Sequence, residues 1–220
     1  DIGYNDFVTS TDISTAYNAT KKLWTDKGVL VDRTYAHEVC APSRASFLAG
    51  RPFHLLEGGK EFSRNQSIVP TIADKLGWMG YRTYMVGKWH AGMQAAHVPS
   101  SRGFDRSLAI LDNPNDYISP CAQNTGTTGQ LNWFNAYYTV KEPSTITRLY
   151  KPADYFSPSF FLQEAKRFLD EHKASFNLRP VFLYFATNAI RDSGKCNERS
   201  CAPVRYFEAC SHLENEVRRN

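Results

Sequence analysis

The sequence has no uninterrupted run of the roughly 18 to 20 apolar residues needed to cross a bilayer, so we expect no membrane span. It also has no dense run of Lys and Arg, and its net charge is only +4. We therefore expect no nucleic-acid partner. No segment of signal-peptide form precedes the opening residues Asp1-Ile2-Gly3-Tyr4, and we expect a processed or trimmed chain.

Cysteine is sparse, with five residues in 220. If Cys40 is reserved for chemistry, an even number remains, enough for two disulfides. Those four are Cys121, Cys196, Cys201 and Cys210. Acceptor triplets for N-glycans begin at Asn18 and Asn65. Together the cysteines and triplets favour a protein of the secretory pathway, either lysosomal or secreted.

Periodicity predicts an α/β protein. Apolar residues recur at helical spacing over 13–28, over 70–80 with Pro70 at the first helical position, and from Ser157 onward with Phe161, Ala165, Phe168 and Leu169 on one face. Strands are predicted at 83–86 and at 181–185, the second of them buried on both faces. Residues 92–156 are predicted to be long loops with a few short elements. We expect a mostly parallel central sheet flanked by helices.

The segment 40–51, CAPSRASFLAGR, predicts a reactive side chain at the start of a helix. Pro42 suits a first helical turn, and Cys40 then lies where free N–H groups and the helix dipole favour an anion. Arg44 lies one turn further on the same side, and its guanidinium suits an oxyanion. By itself Cys40 is also compatible with a buried structural cysteine. A thiolate phosphatase is a further alternative, but it would have arginine at position 46, which is serine.

A second segment, GKWHAG at 87–92, directly follows a predicted strand. Side chains alternate along an extended backbone, so Lys88 and His90 are expected on one face and Trp89 on the other. A permanent cation beside a titratable base suits an anionic substrate. Alone, the pattern favours a strand end with a surface lysine and a packed histidine.

Together these segments resemble the two signatures of type I, formylglycine-dependent sulfatases, within the arylsulfatase group. The first resembles the signature in which a maturation enzyme converts cysteine to formylglycine, and the second resembles GYRTxxxGKWHxG over 80–92. RGFD at 102–105 and the helix and strand of 154–187 are weaker matches. The resemblance implies the alkaline-phosphatase-like sulfatase fold, with 1–220 as the N-terminal portion of the catalytic domain. The first strand and the C-terminal subdomain would lie outside the chain.

The resemblance also implies a cofactor set and a mechanism. Asp1 would be the second carboxylate of a calcium site, and Cys40, converted to formylglycine by the formylglycine-generating enzyme, would provide a hydrated aldehyde that attacks sulfur and also binds the metal. Lys88 and Arg44 would offset the developing charge, and His90 would take a proton. The implied substrate is an aryl sulfate or a sugar sulfate of the glycosaminoglycan type.

One position departs from the pattern. Arg191 falls where the family places a histidine that binds sulfate and protonates the leaving oxygen. Arginine binds an oxyanion but cannot supply a proton. This favours an alternative, a non-catalytic sulfatase-like protein with a binding or matrix role. A relative that acts on phosphonate or phosphate esters with the same aldehyde is the other alternative.

Overall fold

The computed structural model describes residues 22, 27–29, 31, 33–56, 69–92, 96–111, 133–139, 142–148, 156–176 and 178–187. The helices of this part of the chain are α1 (Cys40–Ala49), α2 (Ile72–Trp78) and α3 (Ser157–Phe176). The strands are β1 (Arg82–Lys88), β2 (Arg106–Ile110), β3 (Trp133–Thr139), β4 (Glu142–Arg148) and β5 (Val181–Ala186). All of them belong to one compact unit, His37–Ala189. Of the helix predicted at 13–28, the structure describes Lys22 and Lys27, which are helical, and Gly28, which is not; the other positions lie outside the described residues.

These strands form one sheet in the order β4-β3-β2-β1-β5. β1 lies at the centre of a parallel trio, because it pairs in parallel with β2 on one side and with β5 on the other. β3 and β4 extend the β2 edge as an antiparallel pair. The predicted α/β class with a parallel central sheet is therefore confirmed.

Helices cover both faces of the parallel strands. On one face, Met85 of β1 packs in a core with residues of α1 and α2, among them Leu48 and Ala73. On the other face, Tyr84 and Val86 pack in a second core whose remaining members come from β2 and α3. Neighbouring residues of β1 thus enter opposite cores, as the alternation of side chains along a strand requires.

The apolar face of α3 differs from the predicted one at a single residue. Phe161, Ala165 and Phe168 are buried as expected, but Leu169 is 37% exposed. The stripe continues instead to His172, which is 7% exposed. A helix turns about 100° per residue, so the position four after Phe168 lies nearer the stripe than the position directly after it.

No described helix combines the length and the apolar character that a bilayer crossing requires.

Two predicted element features were wrong. α2 begins at Ile72 rather than at Pro70, because Thr71 acts as its N-cap and accepts a hydrogen bond from the Asp74 backbone N–H at 3.2 Å. β5 is not buried on both faces: Val181 and Phe185 are 37% and 38% exposed. The reason is that, among the described strands, β5 pairs only with β1 and is the outermost one.

The few short elements predicted within 92–156 include strands in the described residues. β2, β3 and β4 all lie within this segment. Its Asn, Ser and Thr content favours loops, but pairing with neighbouring strands outweighs such local preference, which is weaker for strands than for helices. Ser107 of β2 pairs with Met85 of β1 on one side and with Ala136 of β3 on the other, so each strand is held by its neighbour in the sheet.

Candidate active site

Cys40 occupies the first position of α1, as the sequence predicts. The N-cap residue Val39 supplies no side-chain hydrogen bond, the first turn has no acidic residue, and Pro42 has no N–H to donate. The Ser43 hydroxyl contacts the carbonyls of His37 and Val39, at 3.1 and 3.0 Å, which fixes the chain entering the helix. The helix thus begins without a side-chain cap, and its positive end is available to an anion.

The end of β1 brings two further predicted residues to the same sulfur. Lys88 Nζ donates to Cys40 Sγ at 3.4 Å, and His90 Nδ1 lies 3.1 Å from that sulfur. Trp89 points the other way, fully buried, with its indole N–H donated to the His97 carbonyl at 2.9 Å. The expected alternation is therefore confirmed, and the two segments meet at Cys40 although they are far apart in the chain.

Backbone geometry explains why this segment needs its glycine. Gly87 has φ of 115°, and a Cβ there would lie 2.0 Å from the Ala186 carbonyl oxygen of β5. No other residue fits so close an approach. His90 has φ of 49°, a left-handed conformation that is uncommon for a non-glycine residue and is often found at functional sites. Its N–H bonds the Leu111 carbonyl at 3.1 Å, which holds the turn in place.

Arg44 connects α1 to two strands. Its Nη1 donates to the Lys88 carbonyl at 2.8 Å and to the Tyr184 hydroxyl at 3.2 Å. Tyr184 was not singled out from the sequence, where its one signal is a polar tip in the apolar run of β5. Burial raises the pKa of the Tyr184 hydroxyl, and the neighbouring Arg44 partly opposes that shift. Tyr184 therefore keeps its proton at neutral pH.

Cys40, Arg44 and Tyr184 line a cleft of about 370 Å³. Its lining combines polar groups with three aromatic side chains: Cys40, Ser43, Arg44, Phe47, Tyr184, Phe185, Ala186 and Thr187. Cys40 is a free, half-buried cysteine, so its side chain is available for chemistry. Lys88, only 3% exposed, contributes its ammonium group at the sulfur of Cys40. Such a set of donors around one reactive side chain suits a tetrahedral anion.

The remaining predicted site residues, Asp1, Arg191, Asn18 and Asn65, lie outside the described residues. Within the described ranges, no group of three or more His, Cys, Asp or Glu side chains could hold a metal ion. Calcium needs several oxygen ligands, so these ranges do not by themselves provide the predicted site.

The sequence matches the family model described as Sulfatase over residues 2–210. The chain belongs to the sulfatase family. Mouse arylsulfatase J is 29% identical over 88% of the chain and 31% of its own length. Human arylsulfatase G is 30% identical over 71% of the chain and 33% of its own length. N-acetylgalactosamine-6-sulfatase of dog is 29% identical over 87% of the chain and 39% of its own length.

The chain thus spans about a third of the length of these curated relatives. Solved structures support the fold. Ps i-CgsB matches with a TM-score of 0.60 and 22% identity over 83% of this chain and 40% of its own. The putative sulfatase yidJ of Bacteroides fragilis matches with a TM-score of 0.53 and 17% identity over 80% of this chain and 38% of its own. The alkaline-phosphatase-like sulfatase fold is therefore confirmed.

Proposed function

We propose that this chain carries the nucleophile of a sulfuric ester hydrolase of the arylsulfatase type, acting on aryl or sugar sulfate esters. The observation that carries the proposal is the meeting of Lys88 Nζ and His90 Nδ1 at Cys40 Sγ, at 3.4 and 3.1 Å. Family membership and relatives named arylsulfatase J and N-acetylgalactosamine-6-sulfatase support the same reaction class.

The charges of the site favour a sulfate ester. A sulfate ester is an anion, which repels an incoming nucleophile, and the site opposes this repulsion with the ammonium of Lys88 and the guanidinium of Arg44. The uncapped N-terminus of α1 adds N–H groups and the positive end of the helix dipole at Cys40. Donors that are already in place stabilise charge as it develops, without the cost of reorganising water.

His90 is positioned to move a proton at residue 40. Its Nδ1 lies at hydrogen-bond distance from the Cys40 side chain, and the turn at φ of 49° aims the ring there. An imidazole can accept a proton near neutral pH and return it in the same turnover. We assign His90 the role of proton acceptor for the group at position 40.

Formylglycine at position 40 suits these surroundings. When present, it supplies a hydroxyl of the hydrated aldehyde as the nucleophile toward sulfur. Cys40 is a free, half-buried thiol in the cleft, with a donor and a titratable ring nitrogen beside it. The modification would be made by the formylglycine-generating enzyme during passage through the secretory pathway, and we propose a lysosomal or secreted protein.

Mass spectrometry of the tryptic peptide 34–44 tests this proposal. In protein produced by eukaryotic secretory cells, we expect part or all of Cys40 as formylglycine. The same protein is expected to hydrolyse 4-nitrophenyl sulfate. Finding only unmodified cysteine, together with no turnover, would contradict the proposed hydrolase function and favour a non-catalytic binding protein. Arg191 is the sequence feature that supports this second candidate.

The proposal extends to calcium through Asp1, on the resemblance alone. Equilibrium dialysis with calcium, compared between the protein and its Asp1→Asn variant, tests this part separately. Weaker calcium binding by the variant is expected, and equal binding would exclude Asp1 as a ligand.

The proposal also extends to Arg191 in place of the family histidine. A nitrophenol leaves as a stable anion, whereas a sugar alcohol needs a proton that arginine cannot supply. We expect Arg191→His to improve turnover of sugar sulfates, by roughly a hundredfold to ten-thousandfold if it restores a general acid, and to change aryl sulfates little. Equal gains on both substrates, or none on either, would place Arg191 elsewhere.

A further inference from the structure

The Tyr184 hydroxyl carries a proton with no acceptor among the described residues. Its oxygen accepts a hydrogen bond from Arg44 Nη1 at 3.2 Å. A phenol both accepts and donates, so this contact leaves the O–H donor unused. The Nε of Arg44 is buried and has no acceptor in the described part of the chain either, whereas Tyr184 is half-buried. Buried donors are normally paired, and an excess of them in one cleft indicates a missing acceptor.

Electrostatics make this hydroxyl a good donor. Burial raises the pKa of Tyr184, so the proton stays on the oxygen throughout the neutral range. Donation from the Arg44 guanidinium polarises the phenol, and successive hydrogen bonds strengthen each other in a low-dielectric site. Tyr184 lines the same cleft as Cys40.

The ring of Tyr184 is held on two sides. It stacks on Phe47 of α1, with centroids 5.6 Å apart, and on Phe104, with centroids 6.3 Å apart. The parallel register of β5 with β1 pairs it with Met85, which is fully buried. A donor fixed this way loses little side-chain entropy when it binds a ligand.

We propose that the Tyr184 hydroxyl is a substrate-binding donor, which hydrogen-bonds an oxygen of the sulfate group while accepting from Arg44. The inference rests on the proposed function of the cleft and adds a residue that the two signatures do not contain. Tyr184 acts with Arg44 and Lys88 on the anion, whereas His90 acts on the proton at position 40.

The test is the Tyr184→Phe substitution, which removes the hydroxyl and keeps the ring stacked on Phe47 and Phe104. We expect the inhibition constant of inorganic sulfate, and the KM for 4-nitrophenyl sulfate, to rise roughly tenfold to a hundredfold, because one hydrogen bond to a charged group is lost. The matched control is Tyr84→Phe. Tyr84 also lies in a strand, but its hydroxyl contacts His172 Nδ1 at 3.2 Å in the core on the opposite face. This control should leave both constants unchanged.

A double-mutant cycle separates direct contact from action through Arg44. In an Arg44→Lys background, a direct donor still contributes, so Tyr184→Phe should weaken sulfate binding further. No further loss would overturn the proposal and make Tyr184 a positioning residue for Arg44. An unchanged sulfate constant for Tyr184→Phe in an active, folded protein would also overturn it. Failure of the unsubstituted protein to bind or hydrolyse any sulfate would instead contradict the proposed function itself.

Discussion

The N-termini of α1 and α2 solve the same physical problem in opposite ways. Each helix begins with N–H groups that have no partner within the helix. At α2 the Thr71 hydroxyl accepts from the Asp74 N–H at 3.2 Å, and the Asp74 carboxylate accepts from the Thr71 N–H at 2.7 Å. At α1 the N-cap is Val39, which offers no side-chain acceptor, and the first residue is Cys40.

The difference separates stability from function. α2 closes its own end and ties it to the core, because Thr71 is fully buried and its hydroxyl also donates to the Arg102 carbonyl at 2.8 Å. α1 leaves its end open beside Lys88 and places Cys40 there. When side chains of the helix accept from its first N–H groups, these groups are not available to a ligand. When they have no such acceptor, they favour an anion.

The largest effect is expected from removing the Cys40 side chain at the N-terminus of α1. Cys40→Ala should lower turnover of 4-nitrophenyl sulfate by at least about ten-thousandfold, since loss of a covalent nucleophile typically costs that much or more. The melting temperature should change little, because Cys40 is only half buried. Retained activity, measured with enzyme purified free of host sulfatases, would show that the open end of α1 is not the reactive site.

Cys40 at the start of α1 can act only if Lys88 and His90 contact it, and Gly87 sets the backbone path that brings them there. Gly87→Ala should destabilise the fold by more than about 3 kcal/mol, because its Cβ would lie 2.0 Å from the Ala186 carbonyl. Gly50→Ala is the control. Its φ is 63° and nothing lies within 4 Å of the new Cβ, so about 1 kcal/mol is expected from strain alone. Similar urea midpoints for the two variants would contradict this reason for the glycine.

Disrupting the capped N-terminus of α2 should lower the stability of the fold without changing its activity. Thr71→Ala removes the cap of α2 and the bond to the Arg102 carbonyl, and should cost about 1 to 3 kcal/mol of unfolding free energy. The kcat and KM measured at low temperature should stay within about twofold of the unsubstituted values. Thr71→Ser keeps the hydroxyl and should recover most of the loss. An equal loss for both would mean that the methyl group, not the cap, stabilises α2.

The smallest effect comes from closing the open end. Val39 has the extended backbone of an N-cap, φ −124° and ψ 160°, and is 49% exposed, so Val39→Ser can install a cap without disturbing the core. The variant should gain about 0.5 to 1 kcal/mol in stability and bind sulfate a few-fold more weakly, because its hydroxyl competes for N–H groups of the first turn. Val39→Ala adds no cap and is the control. Tighter sulfate binding by the serine variant would contradict the role of the open helix end.

Local patterns were sufficient where one segment contains its own cause. The position of Cys40 at a helix start follows from Pro42 two residues later. Lys88 ends strand β1 and reaches Cys40 directly, whereas His90 reaches it from the turn that follows, at φ of 49°. The boundary of α2 was missed although its cause is local, because the Thr71 hydroxyl caps the helix through the Asp74 N–H only three residues away. The exposure of Phe185 depended on a distant arrangement, since β5 is the outermost of the described strands.

The sequence by itself determined the family, the α/β class and the residue types of the site, because two signatures and their order are properties of the chain alone. Only the tertiary structure brought Cys40 within 3.1 Å of His90 and joined Arg44 to Tyr184, a residue with no local motif. Its place follows from the parallel pairing of β5 with β1, which sets Tyr184 beside Met85. Contacts between residues so far apart in sequence depend on strand register and helix packing, which no local pattern encodes.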